Sequence, residues 1–247
     1  MQNTTLQTTL AAAPAVTLLN RHIRNWKLVP SDFAFAYEEC KRCFYLKNVE
    51  GFQRPRPPMP KIFGVIDLQM KKCFSSKRTE EIAPGLPPGV IEYGEKWVQS
   101  EPILLPQRTS TCFIRGKFDT VVKFDDGSYG VVDFKTSHRK DDHIPLYARQ
   151  LHAYAHALEN AAPGKLSVRP IRKLGLLVFE PMHFSDADVS ALSLYGSLEW
   201  IEIPRNDDGF MAFLSDLVAL LESPEPPPGS AACHWCQYRD TSRRIGL

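Results

Sequence analysis

Two short runs on either side of one tight turn constrain this 247-residue chain more than any other feature. Gly116-Lys117-Phe118-Asp119 precedes the turn sequence Phe124-Asp125-Asp126-Gly127-Ser128, and Asp133-Phe134-Lys135-Thr136 follows it. Gly127 offers a residue for a φ > 0 position. The flanks, Cys112-Phe113-Ile114 and Val121-Val122 before the turn and Tyr129 and Val131-Val132 after it, read as strands. A hairpin symmetric about Asp126 sets Asp119 opposite Asp133, with Cβ atoms about 4.5–5.5 Å apart on one face. Lys135 has the parity of Asp133 and points to the same face. Two carboxylates and an ammonium then converge. Carboxylates this close repel, and a divalent cation is the usual remedy.

The bland alternative is a solvated hairpin carrying ordinary charges. Against it, Asp133 and Lys135 alternate with Val131, Val132 and Phe134 in a run that reads as buried, and buried charges need partners or a metal. Such a set suits metal-assisted phosphodiester hydrolysis, in which the cation polarises phosphate and helps to generate hydroxide.

Net charge is only +2, so overall charge says little about partners. Residues 41–78, however, hold ten Lys or Arg against Glu50 and Asp67, a local excess suited to phosphates or to a solvated helix face. No apolar run reaches the roughly 18–20 residues of a membrane-crossing helix. The mildly apolar stretch Leu10–Leu19 lacks a basic leader and is interrupted by Pro14. Residues 1–24 are therefore expected to be a tail rather than a signal peptide, which points to the cytoplasm.

Ser31 is placed to cap a helix running toward Cys40. The proline-rich run 54–60 cannot be helix interior. Ile62, Val65, Ile66, Met70 and Phe74 recur at helical spacing over 61–74. Residues 83–90 read as loop, and a strand-rich run reaches about residue 136. A helix follows over 145–160, with Tyr147, Leu151, Tyr154 and Leu158 as its apolar stripe and Gln150 on the same face. Strands at 174–179 and 198–203 and a helix at 210–221 complete the expected domain, residues 25–223. Residues 224–247 are a proline linker and a cysteine-containing end. This order fits an α/β or α+β domain without fixing strand order.

Cys40-Lys41-Arg42-Cys43 and Cys233-His234-Trp235-Cys236 are both C-x-x-C, separated by nearly the whole domain. Two such pairs suggest one tetrahedral four-cysteine site joining the chain ends. Cys73 and Cys112 are left over and read as core residues. His152 and His156, four apart, read as polar-face residues rather than metal ligands.

Asp119, Asp133-x-Lys135 and Gln150-x-x-x-Tyr154 resemble, in order and spacing, the PD-(D/E)XK nuclease superfamily. They are most similar to its RecB-type domains and CRISPR-associated RecB-like exonucleases, where the pattern is G-[RK]-[IF]-D, [VI]-[VI]-[DE]-[YF]-K-T and Q-x-x-x-Y. The resemblance implies a restriction-endonuclease-like α/β core, a small mixed sheet flanked by helices. It implies that Asp119, Asp133 and the Phe134 carbonyl hold Mg²⁺ or Mn²⁺. Lys135 would orient the attacking water or stabilise phosphorane charge, and Gln150 and Tyr154 would contact DNA or brace the lysine. Many members carry an upstream His on the helix before the sheet; this chain has none there. Asp67 sits on the matching helix and is a candidate carboxylate ligand in its place, or a polar-face residue; Glu101 resembles the upstream Glu ligand of other members, or sits in the loop Ser100-Glu101-Pro102.

The segments around the cysteines are similar to those of iron–sulfur RecB-like nucleases, which implies a [4Fe–4S] cluster. The two-plus-two division departs from the commoner one-plus-three layout and keeps structural Zn²⁺ as an alternative. Implied partners are single-stranded DNA or DNA ends, with helicase, repair or CRISPR-adaptation proteins. Two other readings stand beside a DNA nuclease: a non-catalytic nucleic-acid-binding module of the same fold, and a zinc-stabilised nuclease acting on RNA. Exposed aromatics such as Tyr45 are candidates for stacking on a single strand.

Overall fold

The protein is described from a computed structural model covering residues 24–55, 58–138, 141–188 and 190–246, so the expected 1–24 tail, Arg24 apart, lies outside the described residues. It is a mixed α/β fold. The chain runs β1 (Asn25–Leu28), α1 (Pro30–Ala34), α2 (Ala36–Glu39), α3 (Lys41–Val49), α4 (Lys61–Phe74), β2 (Gly89–Tyr93), β3 (Lys96–Gln99), β4 (Thr111–Phe118), β5 (Thr120–Phe124), β6 (Tyr129–Thr136), α5 (Ile144–Glu159), β7 (Ile171–Asp188), β8 (Ala191–Ile203), α6 (Asp207–Glu222) and α7 (His234–Arg244).

Five strands form a mixed sheet in the order β2-β5-β6-β7-β8, and three form a second in the order β1-β4-β3. The two sheets share a corner. Phe118 ends β4 in one sheet and Thr120 begins β5 in the other, so Asp119 stands at the bend. The partner chain bends beside it. Tyr93 pairs with Val121 in β5, whereas Lys96 pairs with Phe118 in β4. Gly94 and Glu95 therefore turn the same corner opposite Asp119.

The hairpin forms as the sequence suggests. Thr120 pairs with Val132 and Lys123 with Tyr129, a register symmetric about Asp126. Gly127 takes φ +81°, and the Phe124 N–H donates to the Ser128 carbonyl at 2.8 Å. From β6 the chain crosses through α5 to the parallel strand β7. Parity then sorts the sheet's two faces. Val131, Leu174, Leu176 and Val178 join the main core with Leu151, Tyr154 and Leu158 of α5 and Phe210 and Leu214 of α6. Val132, Phe134 and Leu177 point the other way, against Met70 and Phe74 of α4.

Four expectations are corrected. Ser31 is not a cap: Pro30 is the first helical residue, where its preset φ and missing N–H fit the first turn, and Val29 precedes it. That helix also breaks at Phe35, and Cys40 is extended, so α1, α2 and α3 are separate pieces. Strands β7 and β8 run well past the 174–179 and 198–203 segments as a ribbon exposing Met182, Phe184, Leu192 and Tyr195, whose lack of a buried face left no alternation to read. Cys112 is buried, but Cys73, next to Phe74 near the end of α4, is exposed.

Among the described residues no helix is long and apolar enough to cross a membrane.

Candidate active site and cysteine centre

The corner and the hairpin bring Asp119, Asp133 and Lys135 together. Asp119 follows β4 directly, and its Oδ2 accepts the Phe134 backbone N–H at 3.1 Å, which fastens the bend to β6. Asp133 lies on β6 under α5 and is 4% exposed. Its Oδ1 accepts from Gln150 Nε2 at 3.3 Å. Its Oδ2 is buried, meets the Lys135 ammonium in an ion pair, and has no hydrogen bond of ordinary geometry. Burial pushes the Asp133 carboxyl up to about 6; Lys135 opposes the rise and Asp119 adds to it. Burial pulls the Lys135 ammonium down, but the charge of Asp133, its bond to Lys135 and the Tyr147 and Asp119 charges together outweigh that, and its pKa ends raised. Lys135 also lies 4.6 Å from the Tyr147 ring centroid, and a hollow of about 20 Å³, the size of one water, adjoins it.

Tyr154 and Gly116 explain each other. A Cβ at residue 116 would stand 3.1 Å from the Tyr154 ring and 2.8 Å from Pro30, so only glycine lets both pack on β4. The Tyr154 hydroxyl donates to the Lys117 carbonyl at 2.8 Å, two residues before Asp119. Gln150 thus touches a carboxylate directly, while Tyr154 holds the strand that carries the other one.

A fourth carboxylate arrives where the sequence reading did not place it. Glu95 turns the corner opposite Asp119, and Lys71 of α4 bridges them: its ammonium is 2.7 Å from Glu95 Oε1, 3.0 Å from Asp119 Oδ1 and 2.8 Å from Asp67 Oδ2. Burial would lower the Lys71 pKa, but bonds to Asp67 and Glu95 and the Asp119 charge raise it well above its ordinary value. Lys117 pairs with the other oxygen of Glu95. Asp67 therefore reaches the site through Lys71. Glu101 does not. Ser100 lies opposite Ile114, and the Glu101 backbone N–H donates to Asn160 at the far end of α5, so the upstream position beside Asp119 belongs to Glu95. The pairing of β3 with β4 selects Glu95, and a local motif does not reveal that register.

The cysteines meet at two helix starts. Cys40 is the N-cap of α3 and Cys43 lies in its first turn; Cys233 and Cys236 hold the same two positions on α7. The sulfurs stand 3.6 Å apart for Cys40 and Cys236, 3.7 Å for Cys43 and Cys233, and 3.5 Å for Cys43 and Cys236. All four ligand atoms lie within 4.8 Å of one another. Helix N-termini favour thiolates, and N–H donors add to that: Ser230 N–H to Cys40 at 3.5 Å and Arg54 to Cys233 at 3.5 Å. Burial raises the Cys40 thiol, but the Ser230 and Cys43 backbone N–H groups and the Cys236 and Cys233 thiols together outweigh it and bring it down to about 6, while burial leaves Cys43 and Cys236 raised. With zinc–sulfur bonds of about 2.3 Å, a tetrahedron has edges of roughly 3.8 Å, close to the observed spacings.

A family profile, the PD-(D/E)XK nuclease superfamily, matches residues 76–241. The chain belongs to that superfamily. The match takes in the three motifs, Glu95 and the second cysteine pair; α4, with Asp67 and Lys71, and the first pair precede it. No curated protein matches. A solved structure titled "Crystal structure of SSO0001" is similar over 89% of this chain and 84% of its own, at 16% identity and a TM-score of 0.44. Membership of the PD-(D/E)XK superfamily carries with it a divalent-metal nuclease site and a nucleic-acid substrate as the general expectation.

The other expected features sort as follows. His152 is buried between helices: its Nδ1 is 2.7 Å from the Ala148 carbonyl and its Nε2 accepts the Asn206 N–H at 2.8 Å. With His156 it packs on Phe210, so the pair fixes α5 to α6 rather than lying on a polar face. Tyr45 is also a core residue, 3% exposed, with its hydroxyl on the Ser223 carbonyl. The basic stretch 41–78 is divided among local acids, including Lys47 with Asp32, Arg54 with Glu39 and Arg78 with Asp125.

Proposed function

We propose that this chain hydrolyses phosphodiester bonds in DNA with Mg²⁺ or Mn²⁺, acting on single strands or ends. The observation that carries the reading is the buried Asp133 carboxylate set beside Asp119, with the Lys135 ammonium against it. A buried carboxylate set beside a second one is costly unless cations offset the repulsion. Asp119, Asp133 and the Phe134 carbonyl would hold the ion, with Asp67 and Glu95 behind Asp119. When bound, the ion polarises the phosphate and lowers the pKa of a water. Gln150 orients Asp133, and the Phe134 N–H fixes Asp119. Lys135 keeps its proton and places a positive charge where the phosphorane becomes more negative.

The test is cleavage of labelled oligonucleotides by wild type, Asp119→Ala and Lys135→Met proteins with Mn²⁺ or Mg²⁺. Wild-type cleavage lost in both variants, with binding retained, supports the reading. Cleavage that survives Asp119→Ala refutes it, and binding without cleavage by the wild type favours the non-catalytic module. DNA and RNA substrates in parallel separate the RNA alternative.

The cysteine centre is structural in this reading, because four protein ligands leave no open position. Family resemblance favours a [4Fe–4S] cluster. The 3.5–3.7 Å sulfur spacing favours one tetrahedral ion, since a four-iron cluster binds each cysteine on a separate iron and spreads the sulfurs. Absorption near roughly 400 nm in anaerobically purified protein assigns the cluster, and a colourless protein with one zinc per chain assigns the ion.

A further inference from the structure

A cleft of about 340 Å³ opens beside the cysteine centre, between the end of α3, residues 52–55 and α7. Phe52, Trp235 and Tyr238 line it with Arg54, Arg239 and Arg243. The aromatics are unusually open for their size: Phe52 is 60%, Trp235 38% and Tyr238 73% exposed. No carboxylate lines the cleft among the described residues. Two of the arginines are already engaged, Arg54 with Glu39 and Cys233, and Arg239 with Cys236 and Asp240. Arg243 is exposed and has no ion pair among the described residues.

We infer that this cleft is a binding site for an unpaired nucleotide of a single strand. The aromatic side chains supply faces on which a base stacks, and the arginines supply charge for its phosphates; this combination marks sequence-tolerant single-strand sites. The volume lies at the small end of ordinary ligand pockets and matches one nucleotide better than a duplex. A protein partner would meet the same aromatics, but a lining with three arginines and no carboxylate, Arg243 among them without an ion pair among the described residues, favours a polyanion over an ordinary protein surface. The site is physically linked to the catalytic carboxylates. Glu39 of α2 holds Arg54, and the adjacent Glu38 holds Arg149 of α5, next to Gln150. The inference rests on nucleic acid being the substrate. It adds that the strand is gripped away from the scissile bond, on the surface that the cysteine centre keeps in place.

The test is fluorescence anisotropy of the full chain with labelled oligo-dT and oligo-U of about 12 nucleotides. It uses the Asp119→Ala protein throughout, so that binding is read without cleavage. Tyr238→Ala and Phe52→Ala should each weaken binding roughly fivefold to a hundredfold, the loss expected for one stacked base, while Tyr238→Phe should bind like its parent. Arg243→Gln should lower the salt slope by about one. Thermal melting and metal content check that each variant is folded. Phe52 and Arg243 lie on different segments from each other, so one unfolded variant leaves the others decisive. The inference is overturned if Tyr238→Ala, Phe52→Ala and Arg243→Gln all bind with parental affinity and salt slope, or if neither oligonucleotide binds the parent. Failure of the nuclease reading looks different: intact, cleft-dependent binding with no cleavage by the wild-type protein. Unequal binding of oligo-dT and oligo-U identifies which strand the cleft prefers.

Discussion

Replacing Lys71 by Met removes one ammonium from the centre of three carboxylates and leaves its aliphatic stem nearly unchanged. Lys71 is 16% exposed at the side chain, and Asp119, Glu95 and Asp67 are 24%, 37% and 38% exposed. Breaking a fully buried pair costs about 3–5 kcal/mol, and an exposed one about 0–1. This cluster lies between those limits, so Lys71→Met should cost roughly 2 kcal/mol in metal-free protein. For a chain of this length that is a fall in melting temperature of about 4–8 °C. The loss should shrink in high salt, which screens the half-exposed carboxylates. It should also shrink when Mn²⁺ is added, because a cation at Asp119 relieves the same repulsion. The assay is thermal unfolding of both proteins at low and high salt, with and without Mn²⁺, without strong chelators that would strip the cysteine centre. If the variant melts with the wild type in the absence of Mn²⁺, Lys71 is not the counter-charge of this corner. An equal gain from Mn²⁺ in both proteins would also count against the argument.

Asp133→Asn should flatten the pH dependence of metal-free stability. The folded Asp133 titrates at about 6, above its ordinary 3.8, so the folded state keeps a proton that the unfolded chain releases. That contribution is complete below about pH 4 and is lost as pH rises through about 6, a difference of roughly 3 kcal/mol across the window. Urea midpoints at about pH 4 and about pH 7 measure it, and equal shifts for wild type and variant would sink the assignment. Lys135→Met should slow cleavage by about 10²–10³-fold if it stabilises developing charge. Tyr154→Phe, which leaves the Lys117 carbonyl without its donor, should cost about 1–2 kcal/mol of stability and reduce cleavage less than Lys135→Met does. Cys236→Ser should lower the metal content of the cysteine centre and the melting temperature together; metal analysis and melting on one sample check the link, and a melting point unchanged despite metal loss would remove the structural role.

The hairpin that carries Asp119 and Asp133 was legible because its geometry is local. One glycine-containing turn sets the register, and the register sets Asp119 against Asp133. Gln150 and Tyr154 were legible as one helical face, although only the structure separates their tasks: Gln150 bonds Asp133, and Tyr154 bonds β4. The cysteine pairs were legible from spacing alone, but their placement at the starts of two helices was not, because it depends on the break at Cys40. Lys71 and Glu95 escaped for another reason. Lys71 stands 48 residues before Asp119, and its i, i+4 relation to Asp67 looks like any surface pair. Glu95 is distinguished from Glu101 only by which residue faces the bend once β3 pairs with β4.

The bend itself accounts for the concentration of charge. Glu95 and Asp119 both fall outside the ladders, because β2 and β5 pair only as far as Tyr93 and Val121, and β3 and β4 only as far as Lys96 and Phe118. At the corner both strands leave one sheet and enter the other, and their carboxylates meet the Lys71 and Lys117 ammonium groups and, for Asp119, the Phe134 N–H. Four carboxylates, Asp67, Glu95, Asp119 and Asp133, then share three ammonium groups, Lys71, Lys117 and Lys135. The set carries a net charge of minus one without metal, and a dication makes it plus one. On the proposed function, an ion held there would relieve the repulsion between Asp119 and Asp133 and turn the charge of the set positive, which would favour the approach of a phosphodiester.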